Sequence, residues 1–346
     1  VWSGSRTLAT LPEKPWLHPM RDRALDGRLI SRTAWRHFTL NRRLREYSCD
    51  VLLVPGGIYT GSFRPFVAIS QNVLPFQDGE RQRYGWSLAR LRLELVRRAQ
   101  LRTFKAADAV VFPTHTGRLM VEELMDPAGR GFVAIPCGVD ESYRLAPREQ
   151  KPLSAYTLDE PFRWLYVSIV DLYKHQWQVV AAVGKLRRQG LPIALDLVGA
   201  DTGKARRRLD AALKEWDSQG EFVRYLGTVP SVTDNYRTAD AIVFASSCET
   251  PSFVLLESMA FGLPIACSGM SGMPEALGDG GEYFDPEDPD SIAAALRGLM
   301  ESPNRRSELA SRAHERSKLF TWEQCAVDTL RLAAEKARNT SQHKRK

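Results

Sequence analysis

The sequence predicts an α/β protein made of two doubly wound domains, each on a parallel sheet. Three observations predict it. The chain has 346 residues, more than one ordinary core accommodates, so two domains are expected. Short runs of nearly continuous apolar residues recur along it, as strands buried on both faces require. Helical segments such as "HQWQVVAAVGKLRRQG" and "SIAAALRGLMES" separate those runs, and strand alternating with helix implies parallel sheet.

In the first half, strands are expected at 50–55, 65–70, 108–113 and 131–136. In the second half they are expected at 163–170, 193–199, 222–227, 240–247 and 264–268. "FKAADAVVFPT" and "YRTADAIVFAS" echo each other, each a helix end running into a buried strand, which suits two similarly built domains. The stretch 141–161 is rich in proline and charge and lacks periodicity. It sets a linker at 146–161 between a first domain at 1–145 and a second at 162–320. Residues 321–337 place Trp322, Cys325, Ala326, Thr329, Leu330 and Ala333 along one helical face, and 338–346 reads as a disordered polar tail. Helical pattern begins near 27–47, with no strand before it. Four strands are few for a doubly wound domain, so the first domain is expected to be incomplete, its opening strand upstream of Val1.

With 43% hydrophobic and 26% charged residues, the composition excludes wholesale disorder. No apolar run is long enough for a membrane-spanning helix, and no secretory leader is visible. The five cysteines are scattered without a CxxC pair, which fits reduced thiols in a cytosol. No DxD motif or His/Asp cluster asks for a metal. Charge is one-sided: residues 1–150 carry 23 Lys+Arg against 15 Asp+Glu, whereas the other 196 carry 25 against 26. A basic half suggests an anionic partner or simply an arginine-rich surface. Nucleic acid is disfavoured, because no binding motif accompanies the charge.

One segment concentrates the chemistry. "CETPSFVLLESMAFGLPIACSGMSGMP" (248–274) follows a buried strand and carries Glu249 and Glu257 with seven residues between them. Thr250 is expected as a helix N-cap with Pro251 at the first helical position, and Gly262 as the C-terminal cap before Pro264. A loop at the C-terminal edge of a strand is where doubly wound sheets bind ligands, and the helix start behind it attracts phosphate. Glu257, about a turn and a half into the helix, can accept both hydroxyls of a ribose. Glu249 would then flank the phosphate from the other side. By spacing alone, two surface carboxylates explain the pattern better.

The surrounding residues resemble the signature of the retaining family 4 glycosyltransferases: Glu249, "TPSFVLL", Glu257, Ser258, Met259, Ala260, Phe261, Gly262, Leu263, Pro264. "GMPEALGDGGEYFDPEDPDSIAAAL", "AIPCGVD" and "YLGTVP" extend the resemblance over nearly the whole chain from about residue 45. It implies the GT-B fold, two Rossmann-like domains facing a cleft, with a UDP- or GDP-linked sugar as donor and no separate cofactor. Glu257 would bind the donor ribose, Glu249 would contact the transferred sugar, and Thr250, Ser252, Phe253 and Val254 would surround sugar or phosphate. Lys174, in "YVSIVDLYKHQ", would neutralise the leaving diphosphate, although Ile169 stands where the family usually has an arginine. Gly199 would let the backbone approach the ligand. On the acceptor side, Gln71 replaces the usual histidine, followed by Asn72, and His115 is the most site-like histidine. A glutamine cannot act as a general base.

The resemblance also implies a glycan or polyprenyl-diphosphate-linked acceptor and a role in cell-surface polysaccharide assembly. The basic amphipathic stretch 81–105 would then have reason to touch an anionic membrane from the cytoplasmic side. Its other reading is a domain helix packed on its sheet. Two rival functions remain at this stage: a nucleotide-sugar epimerase or hydrolase, and a catalytically silent binding subunit.

Overall fold

The computed structural model describes residues 1–126, 131–250 and 252–343. The first sheet holds β1 (Leu52–Pro55), β2 (Phe66–Ile69), β3 (Ala109–Phe112) and β4 (Gly131–Ala134), all parallel and in that spatial order. The second holds β5 (Phe162–Val167), β6 (Ile193–Val198), β7 (Val223–Gly227), β8 (Ala241–Phe244), β9 (Ile265–Ser268) and β10 (Glu282–Phe284). Its order is β10-β9-β8-β5-β6-β7. The chain therefore winds outward from β5 in one direction and from β8 in the other. Where the order reverses, the loops leaving β5 and β8 part to opposite faces and open a crevice at the strand ends. The register there pairs Trp164 with Ala241 and Leu165 with Ile242.

All nine expected strands are present, with ends trimmed by a few residues. β8 stops at Phe244, which releases Ser246 and Ser247 into the loop that carries Glu249. The strand missing from the sequence reading is β10, only three residues long. Both sheets are buried as their apolar runs require. β3 and β8 are buried throughout, and Trp164, Tyr166 and Phe244 are nearly or fully enclosed. Each such side chain contributes about 1.5–3 kcal/mol relative to exposure.

Residues 27–47 are largely helical, from Leu29 to Glu46. The linker stretch holds only a short turn at Leu153–Ala155, tied to the second domain by Arg306, whose guanidinium donates to Gln150 and to the Lys151 carbonyl. The final helix, Trp322–His343, returns to the first sheet, where Ala333, Cys325 and Leu332 pack with Val67, Ala109, Val111 and Ile135. Two expectations are corrected here. Leu330 faces solvent and Leu332 faces the sheet. Residues 338–343 continue the helix, because extending a formed helix costs far less than starting one. Residues 344–346 and Pro251 lie outside the described residues.

Candidate active site

The reversal between β5 and β8 brings together the two loops that carry Lys174 and Glu249. After β5, Ser168–Asp171 leads into a single turn, Leu172–Lys174, and His175 then takes a left-handed conformation (φ 50°, ψ 30°) before the helix Gln176–Arg188. The Lys174 ammonium contacts a Glu249 carboxylate oxygen, and both side chains are largely buried. The ammonium also lies 4.9 Å and 5.3 Å from the ring centres of Tyr173 and Phe244.

A hydrogen-bond clamp holds the two loops in register. Ser247 donates its amide to the Tyr173 carbonyl at 2.9 Å, and its hydroxyl lies 3.0 Å from His175 Nε2. The Tyr166 hydroxyl donates to the Lys174 carbonyl at 2.5 Å. Burial, with help from the Arg83 guanidinium, pushes the His175 pKa down to about 4, so its ring is neutral at physiological pH. On the other side, Ser271 receives the Glu249 amide and donates its hydroxyl to the Glu249 carbonyl at 2.9 Å.

The helix that follows is Phe253–Ala260, with Ser252 as its N-cap and Gly262 at φ 65° past its end. The expected Thr250 cap is corrected. Ser252 accepts the first helical bonds from Leu255 and Leu256, while the Thr250 hydroxyl donates across the cleft to the Gln71 carbonyl at 3.2 Å. The amides of Phe253 and Val254 lie in the first turn, where intrahelical partners are lacking. The Phe253 side chain is exposed, its ring 5.9 Å from that of Trp322. Glu257 is partly buried and accepts from the Tyr236 hydroxyl at 3.1 Å. Burial raises its carboxyl above the ordinary range, partly opposed by that hydrogen bond.

Gly199 has φ 145°, and a Cβ there would stand 1.9 Å from the Ser168 carbonyl oxygen. What the glycine admits is thus the neighbouring loop's backbone. Ile169 is 40% exposed in that loop, and Lys204 lies 3.6 Å from Asp171, two residues further on.

On the facing domain, Gln71 and His115 are exposed, and Asn72 accepts the Leu74 amide in a local turn. The His115 amide donates to Glu275 at 2.6 Å, and Thr116 donates both its amide and its hydroxyl to the same carboxylate at 2.8 Å. Tyr84 donates to Asp171 at 2.9 Å, and Arg83 pairs with Glu287. The residues brought to the crevice mouth are thus Lys174, Glu249, Thr250, Ser252 and Gln71. His115 is tied to the cleft only through its backbone. Sequence reasoning missed His175, Ser247, Tyr236 and Glu275. His175 directly follows Lys174, and Glu275 stands inside the quoted "GMPEAL" run, but nothing in either spacing announces a partner. No cluster of potential metal ligands occurs among the described residues.

Chemically, the arrangement is a buried ammonium held by a carboxylate beside a helix start, with a second carboxylate about one and a half turns along. It suits a ligand with an anionic centre and a polyhydroxylated end.

Residues 154–316 match the family described as glycosyl transferases group 1. The match covers most of the second domain and none of the first sheet. The matched stretch contains Lys174, Gly199, Glu249, Thr250, Ser252, Phe253, Val254 and Glu257. Among curated relatives, O-antigen chain mannosyltransferase B of Escherichia coli is 32% identical over 120 residues, covering 34% of this chain and 32% of that one. The phosphatidyl-myo-inositol mannosyltransferase of Mycolicibacterium smegmatis is 26% identical over 251 residues, covering 66% and 61%. The chain thus spans about a third to three-fifths of the length of these two relatives. The sucrose-phosphate synthase structure from Thermosynechococcus elongatus superposes with a TM-score of 0.66 at 20% identity, covering 85% of this chain and 75% of that one. The architecture is GT-B.

Proposed function

We propose that the protein is a retaining, metal-independent glycosyltransferase. It would move a hexosyl group from a UDP- or GDP-linked donor to a glycan or a polyprenyl-diphosphate-linked acceptor, in cell-surface polysaccharide assembly. The observation that carries this reading is the Lys174–Glu249 contact at the sheet's reversal point, beside the start of the helix that bears Glu257. An O-antigen mannosyltransferase among the relatives supports the polysaccharide setting.

In this reading the second domain holds the donor. Glu257 accepts the ribose hydroxyls. The first-turn amides and Lys174 take the diphosphate, and Glu249 turns from Lys174 toward the transferred sugar. The acceptor enters from the first domain, past Gln71, Asn72 and His115. Its oxygen bonds to the anomeric carbon as the bond from that carbon to the diphosphate oxygen breaks, on the same face. The acceptor's proton passes to the departing diphosphate oxygen, so no protein base is needed and Gln71 is no obstacle. Lys174 acts where negative charge develops, which is where fixed charge accelerates most. Lys204, on the adjacent loop and paired with Asp171, is a candidate for the charge that Ile169 does not supply.

The test is thermal stability with UDP, GDP, ADP and their sugar conjugates, each with and without EDTA. A ligand that binds only the folded state raises Tm. The reading expects a rise with one base, unchanged by EDTA and lost in Glu257→Ala. Absence of any rise overturns it.

A further inference from the structure

Lys174 has both of its backbone groups fixed. Its amide donates to the Asp171 carbonyl at 3.1 Å, and its carbonyl accepts from Tyr166. The turn that does this is closed by a side chain: Asp171 Oδ1 accepts the Leu172 amide at 2.7 Å and caps Leu172–Lys174. Such a local bond holds a turn only while the carboxylate keeps its orientation. The same oxygen accepts a second hydrogen bond at 2.9 Å, and its donor is Tyr84 of the first domain. Lys174, Asp171 and Tyr84 are all buried.

Local sequence carries Tyr84 across the cleft. The helix Asp78–Gln82 ends just before it, and Gly85 at φ 56° turns the chain back toward the helix Leu88–Ala106. Between them the Tyr84 ring joins the apolar core of the second domain, which also holds Leu172. The preceding residue, Arg83, pairs with Glu287 and anchors the same crossing. Burial, with the Asp171 charge beside it, raises the Tyr84 pKa far above the ordinary phenol value, so the hydroxyl stays protonated and donates. The other carboxylate oxygen of Asp171 faces Lys204 at 3.6 Å, on a side chain that is 40% exposed. Asp171 therefore has two ways to be satisfied. With Tyr84 it stays aimed at the turn. Without that hydroxyl it is free to swing toward the Lys204 ammonium and water, and the Leu172 amide loses its acceptor.

We infer that Tyr84 is a positioning residue for Lys174: through Asp171 it holds, from the facing domain, the turn that presents the ammonium to a diphosphate. The diphosphate in this statement rests on the proposed donor site, whereas the hold on the turn rests on the hydrogen-bond chain alone.

The experiment compares wild type with Tyr84→Phe, Lys174→Met and the double variant by calorimetric titration, using UDP against UMP and GDP against GMP. The ratio of diphosphate to monophosphate affinity isolates what the second phosphate gains. Lys174→Met should lower that ratio about tenfold or more. Tyr84→Phe should lower it about three- to tenfold with Tm nearly unchanged, since the ring and the Arg83–Glu287 pair remain. The double variant should be no worse than Lys174→Met, because both changes act through one ammonium. Glu275→Ala, which loosens the cleft away from this turn, should weaken both ligands alike and keep the wild-type ratio. In the ligand-free protein, hydrogen exchange of the peptide 168–176 should be about tenfold faster in Tyr84→Phe. A tyrosine that only fills space would lower Tm and leave the ratio alone. A wild-type ratio in Tyr84→Phe, or losses that add in the double variant, overturns the role and leaves the donor reading intact. Unchanged exchange does the same. A wild type that gains nothing from the second phosphate overturns the donor reading and this role with it.

Discussion

At the scale of single residues, His175 and Glu257 carry opposite pH signatures. His175 sits at φ 50°, where a non-glycine side chain costs about 1–2 kcal/mol, and its buried ring bonds Ser247. Its folded pKa of about 4 lies below the ordinary histidine value, so the unfolded chain binds the proton more readily. Stability from this residue is complete above the unfolded pKa and is lost as pH falls toward 4, by roughly 3 kcal/mol in all. His175→Asn, which tolerates the left-handed backbone, should flatten that acid loss in urea titrations between pH 6.5 and 4. Parallel slopes in variant and wild type would show that the ring does not titrate as argued. Glu257 runs the other way. Its raised carboxyl favours the folded state at low pH, and in the proposed reading its ionised form accepts the ribose diol. Nucleotide affinity should therefore weaken as pH falls through a range above the usual carboxylate values. Tyr236→Phe removes the hydrogen bond that favours ionisation, so the midpoint should move to higher pH, read by calorimetric titration with the nucleotide that raises Tm. An unmoved midpoint would assign the titration to another group.

At the scale of elements, the strands were legible because burial on both faces leaves nearly unbroken apolar runs, as "DAVVF" and "DAIVF" show. β10 was not, since three residues between "GDGG" and "DPED" have no period to detect. The N-cap at Ser252 was missed for a different reason. Thr250 has the right chemistry and spacing, but its hydroxyl is spent on Gln71, 179 positions away in the chain. The Glu249–Glu257 pattern could be read because both ends of that segment are local. The partners Tyr236 and Ser247 could not, because they are set by which strands lie side by side. Glycines separate the same way. Gly199 and Gly203 look alike in sequence, yet a Cβ at the first would strike the Ser168 carbonyl and at the second would meet nothing. Gly203→Ala should cost about 1 kcal/mol, its positive φ alone. Gly199→Ala should cost roughly 3 kcal/mol or more, because the loop after β5 must move. Urea midpoints of the two variants check the contrast, and equal costs would mean that the two loops are not packed as described.

At the scale of the whole molecule, the cleft is spanned by polar contacts beside an apolar patch in which Val73, Leu74 and Tyr84 join the core of the second domain. Glu275 of the second domain satisfies the helix start at His115 and Thr116, Tyr84 reaches Asp171, and Arg83 grips Glu287. Interfaces between domains ordinarily permit hinge motion unless they are large and hydrophobic, and here the apolar patch is small. Glu275 is the contact that joins the helix start at His115 to the loop after β9, and that loop also holds Glu249 through Ser271. Losing the carboxylate leaves helix amides unsatisfied only while the cleft is closed, since water reaches them once it opens. Glu275→Ala should thus shift the population toward an open form while leaving each domain folded. In small-angle scattering the variant should show a larger radius of gyration than wild type, and donor binding should recover part of the difference by drawing the domains together. The cost should appear as weaker apparent affinity for the donor rather than as a lower Tm of the second domain, because only the competent fraction changes. A variant with wild-type dimensions and weakened donor binding would instead place Glu275 in the donor site itself, through the Ser271 loop.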